Sequence, residues 1–126
     1  MVNILVADDD SLIRHLVRAL LEAEGHQVTE AADGVEAIQA ARACPYDVVL
    51  CDVFMPRQDG IQTLRQLRQE LPGLPVVSMS AGGFGGKVDM LSVATLLGAA
   101  GVLPKPFNRA DLLGVVARAL GSGQKQ

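Results

Sequence analysis

Short β-branched runs alternate with longer helical patterns five times along the chain, and no other feature limits the possible folds so strongly. NILVA (3–7), QVTEA (27–31), DVVLC (47–51), PVVSMS (75–80) and GVL (101–103) read as strands, and the segments between them space their apolar residues along one helical face. Most of the strand runs are apolar on both faces, as a parallel sheet covered by helices on both sides requires. Right-handed crossovers then predict an α/β fold with a doubly wound parallel sheet, in which ligands bind outside the carboxyl ends of the strands where the winding reverses.

The first helix is the clearest. Ser11 stands as the N-cap, Leu12, Ile13, Leu16, Val17, Leu20 and Leu21 form one stripe, Arg14, His15, Arg18 and Glu22 take the polar face, and Gly25 is the stop. Further helices are predicted over 34–43, 60–71, 87–97 and 108–120. The closing GSGQKQ has no periodicity, so residues 1–120 read as one domain and 121–126 as a flexible tail.

With 126 residues, 49% hydrophobic and 20% charged, the chain has the size and composition to enclose a single core. Its 14 acidic and 11 basic side chains, with no basic run, argue against electrostatic capture of nucleic acid. No apolar stretch is long enough to span a bilayer and Met1-Val2-Asn3 leads straight into a strand, so a cytoplasmic location without membrane insertion is expected. Cys44 and Cys51 lack metal-ligand spacing and read as small apolar residues in reducing surroundings, and His15 and His26 read as surface residues without a partner pattern.

The polar residues without a packing role fall in a pattern. Asp8, Asp9 and Asp10 follow the first strand, Asp52 follows the third, Ser80 closes the fourth and Lys105 follows the fifth. An aspartate at a strand end is often only a turn former, but independent turn formers would scatter over both rims of the sheet, and these share the rim where such folds keep their sites. Two unit charges about 4 Å apart repel by roughly 4 kcal/mol at an effective dielectric of about 20, so clustered carboxylates need a cation. A hard divalent ion suits the oxygen ligands, and Mg²⁺ suits a site with few protein carboxylates beside a phosphate. Lys105 supplies a second positive charge and the Ser80 hydroxyl a hydrogen bond to a phosphoryl oxygen. Asp10 reads as a surface or helix-start charge, while Ser80 as a plain strand-end hydroxyl and Lys105 as a solvated amine are the bland alternatives.

VADD, CDVFMPRQDG, SMSA and LPKPF, in that order, closely resemble the motifs of the bacterial response-regulator receiver domain, the family of the chemotaxis regulator, over about residues 3–120. The resemblance implies a flavodoxin-like three-layer sandwich with strand order 2-1-3-4-5. It implies that Asp52 accepts a phosphoryl group from a sensor histidine kinase or a histidine phosphotransfer protein. Asp9, Asp52 and the backbone carbonyl of Phe54 would ligate Mg²⁺ directly, Asp8 mostly through water. Lys105 would bind phosphoryl oxygens, with its bond to Pro106 cis, and Ser80 would be the switch hydroxyl. On this reading the chain is a signalling module, not an enzyme in the ordinary sense; the alternatives are a receiver that docks partners without phosphorylation, or a phosphate sink with no output.

Three departures qualify the resemblance. Val102 stands where relatives carry Tyr or Phe, which leaves the switch to Ser80 and the segment after it. AGGFGGK (81–87) nearly spells a nucleotide phosphate-binding loop, but Ala81 replaces its first glycine and Val88 its hydroxyl; a hinge with Phe84 as a contact is the preferred reading. KVDMLSVATLLG has only Asp89, Ser92 and Thr95 as a narrow polar line, so a downstream partner or a second copy is expected to bind there together with the last strand and helix, with simple burial under the glycine loop as the alternative. A flavin protein of the same topology would not place three aspartates where the phosphate binds, and a phosphatase with an aspartyl nucleophile commonly places a second acid where Phe54 stands. The 126 residues read as one domain, which is expected of a stand-alone regulator and equally of a fragment of a longer protein.

Overall fold

The computed structural model describes residues 2–53, 60–80, 94–95 and 97–124, of which 122–124 as backbone alone. Five parallel strands, β1 (Asn3–Ala7), β2 (Gln27–Ala31), β3 (Val48–Asp52), β4 (Val76–Ser80) and β5 (Gly101–Pro104), form one sheet in the order β2-β1-β3-β4-β5. Helices α1 (Ser11–Glu22), α2 (Gly34–Ala43), α3 (Gly60–Glu70) and α4 (Arg109–Gln124) connect and flank it. The doubly wound α/β fold expected from the alternation is therefore present, with the strand order that the resemblance implies.

The period-2 alternation of each strand divides the core into two layers. Ile4 and Val6, Val48 and Leu50, Val77 and Met79, and Leu103 face Val17 and Leu21 of α1 and Leu112, Val115 and Val116 of α4. Leu5 and Ala7, Val49 and Cys51, and Val76 face Ala37, Ile38 and Ala41 of α2 and Leu64 and Leu67 of α3. Central strands β3 and β4 are buried at every position, whereas edge strand β2 buries only Val28 and Ala31. Of the helix expected over 87–97, only Ala94, Thr95 and Leu97 are among the described residues; Ala94 is buried against the second layer. The glycine-rich loop 81–87 and the partner surface expected on that helix lie outside them, as does Phe54.

Four local expectations are corrected. The N-cap of α1 is Asp10 and not Ser11: Asp10 has extended backbone (φ −84°, ψ 105°) and its Oδ1 accepts from Leu12 N at 3.0 Å and Ile13 N at 3.4 Å, while Ser11 is already helical. The apolar stripe of α1 is wider than the surface that covers it, leaving Leu12 79% and Leu16 48% exposed while Val17 and Leu21 are buried. His15 is a surface residue as expected, its side chain 64% exposed with Nε2 3.2 Å from Glu30 Oε1, whereas His26 is half-buried and its Nδ1 accepts from Val2 N at 3.3 Å. The two free cysteines differ, Cys51 being buried in the second layer and Cys44 exposed at the end of α2. Gly25 does end α1, at φ +90°, a conformation that side chains with a Cβ rarely adopt. Helix α4 runs to Gln124, four residues past the end of its apolar pattern. Among the described residues no helix is long and apolar enough to cross a membrane.

Candidate functional site

The alternation that buries Val6, Leu50 and Leu103 on the α1 side of the sheet carries Asp8, Asp52 and Lys105 to that side of the carboxyl rim, each two residues further on. Asp8 is 0% and Asp52 5% exposed, while Asp9 is exposed. Each of the three offers a carboxylate oxygen, and these oxygens lie within 4.8 Å of one another. Lys105 reaches them across the end of the sheet, its Nζ donating to Asp8 Oδ2 at 2.9 Å and to Asp52 Oδ1 at 3.3 Å.

Backbone bonds fix the frame beneath these side chains. Asp8 N donates to Ala31 O (3.1 Å), Val53 N to Met79 O (2.9 Å) and Lys105 N to Ser80 O (2.6 Å), so the ends of neighbouring strands are tied together where the site lies. The Lys105–Pro106 peptide bond is cis. Ser80 is fully buried at the end of β4, beside Pro104 in the sheet register and bonded through its carbonyl to Lys105. Asp10 caps α1 and donates its own N–H to Asp8 Oδ1 at 2.9 Å, so it braces the loop. Val102 is half-buried and borders a cavity of about 300 Å³ lined also by Pro104, Pro106, Val115 and Arg118.

The charges do not balance. Burial, and then the neighbouring Asp8 carboxylate, push the Asp52 carboxyl from its ordinary 3.8 up to about 6, against the pull of Lys105. Burial pulls the Lys105 ammonium down, but Asp8 and Asp52 outweigh it and hold that group above its ordinary value. Among the described residues one ammonium, that of Lys105, bonds two of the three carboxylates, which leaves room for more positive charge. Three converging oxygen donors in that state fit a hard divalent cation.

Sequence reasoning missed two parts of this region. A Cβ on Gly60 would stand 1.9 Å from Asp52 O and 2.4 Å from Val53 Cα, so the start of α3 lies directly on the backbone of the candidate phosphoacceptor, held by Gly60 N to Val53 O at 3.0 Å. An Asp-Gly pair reads as a turn; nothing local signals such an approach. Arg14 reads as a polar-face residue, yet its Nη1 donates to Asp8 O at 2.7 Å. The available signal is that helical side chains lean toward the helix N-terminus, which aims a long residue one turn into α1 back at the Asp8 loop.

Residues 4–117 match the family model of the response regulator receiver domain. The chain is 36% identical over 121 residues to the DNA-binding transcriptional regulator NtrC of Escherichia coli, covering 96% of this chain and 25% of that protein. It is 40% identical over 114 residues to the transcriptional regulatory protein CpxR homolog of Haemophilus influenzae, covering 90% of this chain and 48% of that protein. The chain thus spans between a quarter and a half of the length of these relatives. Among solved structures, the chemotaxis protein CheY4 of Vibrio cholerae superimposes with a TM-score of 0.85 at 30% identity, covering 94% of this chain and 98% of that one. Together with the strand order and the acidic rim, these matches show that the chain belongs to the response regulator receiver domain family of two-component signalling.

Proposed function

We propose that the chain accepts a phosphoryl group on Asp52 from a phosphohistidine of a sensor histidine kinase or histidine phosphotransfer protein, in a Mg²⁺-dependent reaction, and signals through the resulting change of conformation. The observation that carries this reading is the convergence of Asp8, Asp9 and Asp52 within 4.8 Å, with Lys105 Nζ bonded to both buried acids. Receiver domains are signalling domains and not enzymes in the ordinary sense, and the family typically binds Mg²⁺ at acidic residues.

Asp9, Asp52 and the Phe54 carbonyl would hold the ion directly, with Asp8 mostly through water; Phe54 lies outside the described residues. Bound there, the ion supplies charge neutralisation for the acids and for the incoming phosphoryl oxygens. An Asp52 carboxylate oxygen attacks phosphorus, the P–N bond of the donor breaks, and its electron pair remains on the imidazole, which takes a proton from solvent. No general base is needed, because the nucleophile acts as a carboxylate; positioning and charge do the work. Lys105 exchanges a carboxylate contact for a phosphoryl oxygen, and the Ser80 hydroxyl donates to another. Residues 1–120 form the unit that does this, and residues 121–126, the first four of which close α4, add no site residue. The module acts in the cytoplasm and touches no nucleic acid itself. Its output goes to a protein partner or a second copy through the segment 87–97, β5 and α4.

The test is incubation with Mg²⁺ and a small phosphodonor, read by intact mass. The parent is expected to gain one phosphoryl group and Asp52→Asn none. A parent that stays unmodified with its fold intact overturns the reading in favour of docking without phosphorylation.

A further inference from the structure

Beyond the last registered pair of β1 and β2, Ala7↔Ala31, the carbonyl of Asp8 is taken by a side chain. Arg14 Nη1 donates to it at 2.7 Å, while Arg14 Nε donates to Glu30 Oε1 at 2.7 Å. One planar guanidinium, 15% exposed, therefore ties the peptide between Asp8 and Asp9 to strand β2. That peptide plane governs two acids at once. It sets the direction of the Asp8 side chain, whose Oδ1 receives Asp10 N and whose Oδ2 receives Lys105 Nζ, and it contains the N–H of Asp9.

The anchor is itself held on several sides. Arg18 Nη1 lies 3.1 Å from Glu30 Oε2 and His15 Nε2 3.2 Å from Oε1. Burial would raise the Glu30 carboxyl, but hydrogen bonds from Arg14 and Arg18 and the proximity of His15 hold it below its ordinary value. Glu30 is thus an ionised, fixed acceptor that gives Arg14 one orientation. A guanidinium has donors in a rigid fork and can serve carbonyl and carboxylate together; a lysine ammonium on a flexible stem is a point charge without that geometry.

We infer that Arg14, anchored on Glu30, is a positioning residue of the acidic site, fixing the Asp8–Asp9 peptide so that the carboxylates converge on one divalent cation. The inference rests on the reading of that site as a Mg²⁺ and phosphoryl site. The test is a Mg²⁺ titration of the parent, Arg14→Ala, Arg14→Lys and Glu30→Gln, followed by the amide ¹H–¹⁵N shifts of Asp9 and Asp10, with the shifts of β4 as the control for fold. With β4 unchanged, Arg14→Ala is expected to weaken Mg²⁺ binding by roughly tenfold or more, the range for groups that orient a metal's ligands. Arg14→Lys should recover only part of that loss and Glu30→Gln should show a smaller one, with the Asp10 amide displaced before any Mg²⁺ is added.

Parent-like Mg²⁺ affinity in Arg14→Ala overturns the inference, as does full recovery by Arg14→Lys; if Arg14→Ala does not fold, parent-like affinity in Arg14→Lys decides alone. A parent that takes up neither Mg²⁺ nor a phosphoryl group overturns the functional reading itself, an outcome visible without any Arg14 variant.

Discussion

The two rims of the sheet hold carboxylates in opposite electrostatic states. At the amino-end rim, Glu70 at the end of α3 accepts from Arg42 Nε and Nη2, both at 2.7 Å, and from Gln66 Nε2 at 2.9 Å, and these partners hold its carboxyl down at about 2. At the carboxyl-end rim, Asp52 is buried beside Asp8, shares the Lys105 ammonium with it and is pushed up to about 6. A solvated acid with a bidentate partner is electrostatically satisfied and has no further chemistry to offer. A buried acid crowded by others stays short of positive charge, and such local conflict collects at functional sites.

The comparison breaks most visibly at the carboxyl rim. Gly60→Ala drives a Cβ into the backbone of Asp52 and Val53 and is expected to cost about 3 kcal/mol or more, read by urea denaturation; parent-like stability would show that α3 can retreat from the site. Lys105→Met removes the one ammonium that, among the described residues, is bonded to Asp8 and Asp52. It should destabilise the metal-free protein by up to about 3 kcal/mol at pH 8, and by less at pH 5, where Asp52 takes up a proton instead.

Asp52→Asn acts in the other direction. It should raise the melting temperature of the metal-free protein near neutral pH, because the rise of the Asp52 carboxyl from 3.8 to about 6 bounds the penalty near 3 kcal/mol and solvent screening leaves about 1–2 kcal/mol. Asp52 is an acid whose native pKa lies above its ordinary 3.8, so the folded state keeps the proton to higher pH than the unfolded chain. Its contribution is therefore most favourable below about pH 4 and is lost as pH rises to and through about 6. The parent should lose this increment across that window and Asp52→Asn should not, with melting curves at closely spaced pH values as the measurement. Added Mg²⁺ should stabilise the parent above pH 6 and the variant far less. Last in size is Arg42→Ala at the opposite rim, where both partners are exposed; its melting temperature should be indistinguishable from the parent's, and a large drop would remove the contrast between the rims.

Much of this was legible in the chain because it is local. Strands β1 and β2 fall where the apolar runs end, and β3, β4 and β5 differ from their patterns by one residue at one or both ends. The chemistry-bearing side chains sit at strand ends in sequence order, so the fold class alone brings them to one rim. The cap of α1 was misread because Asp10 and Ser11 both suit an N-cap, and only backbone geometry chooses between them. The exposure of Leu12 and Leu16 was hidden because a periodic stripe records where apolar residues are and not how much of that face a neighbour covers.

By itself the sequence determined the elements, their alternation, the split of each strand into two faces, and the set of acids, hydroxyl and amine carried to the carboxyl rim. These follow from periodicity and chain order, which act over a few residues. Tertiary structure alone decided that Asp8 is buried while Asp9 is exposed, that Gly60 lies on the Asp52 backbone, and that Arg14 bridges the Asp8 carbonyl to Glu30. It also decided that Lys105 meets Asp8 across 97 positions and Asp52 across 53. Hydrogen bonds and charge repulsion act over a few ångströms of space, and no local pattern in a chain states which distant residues will share them.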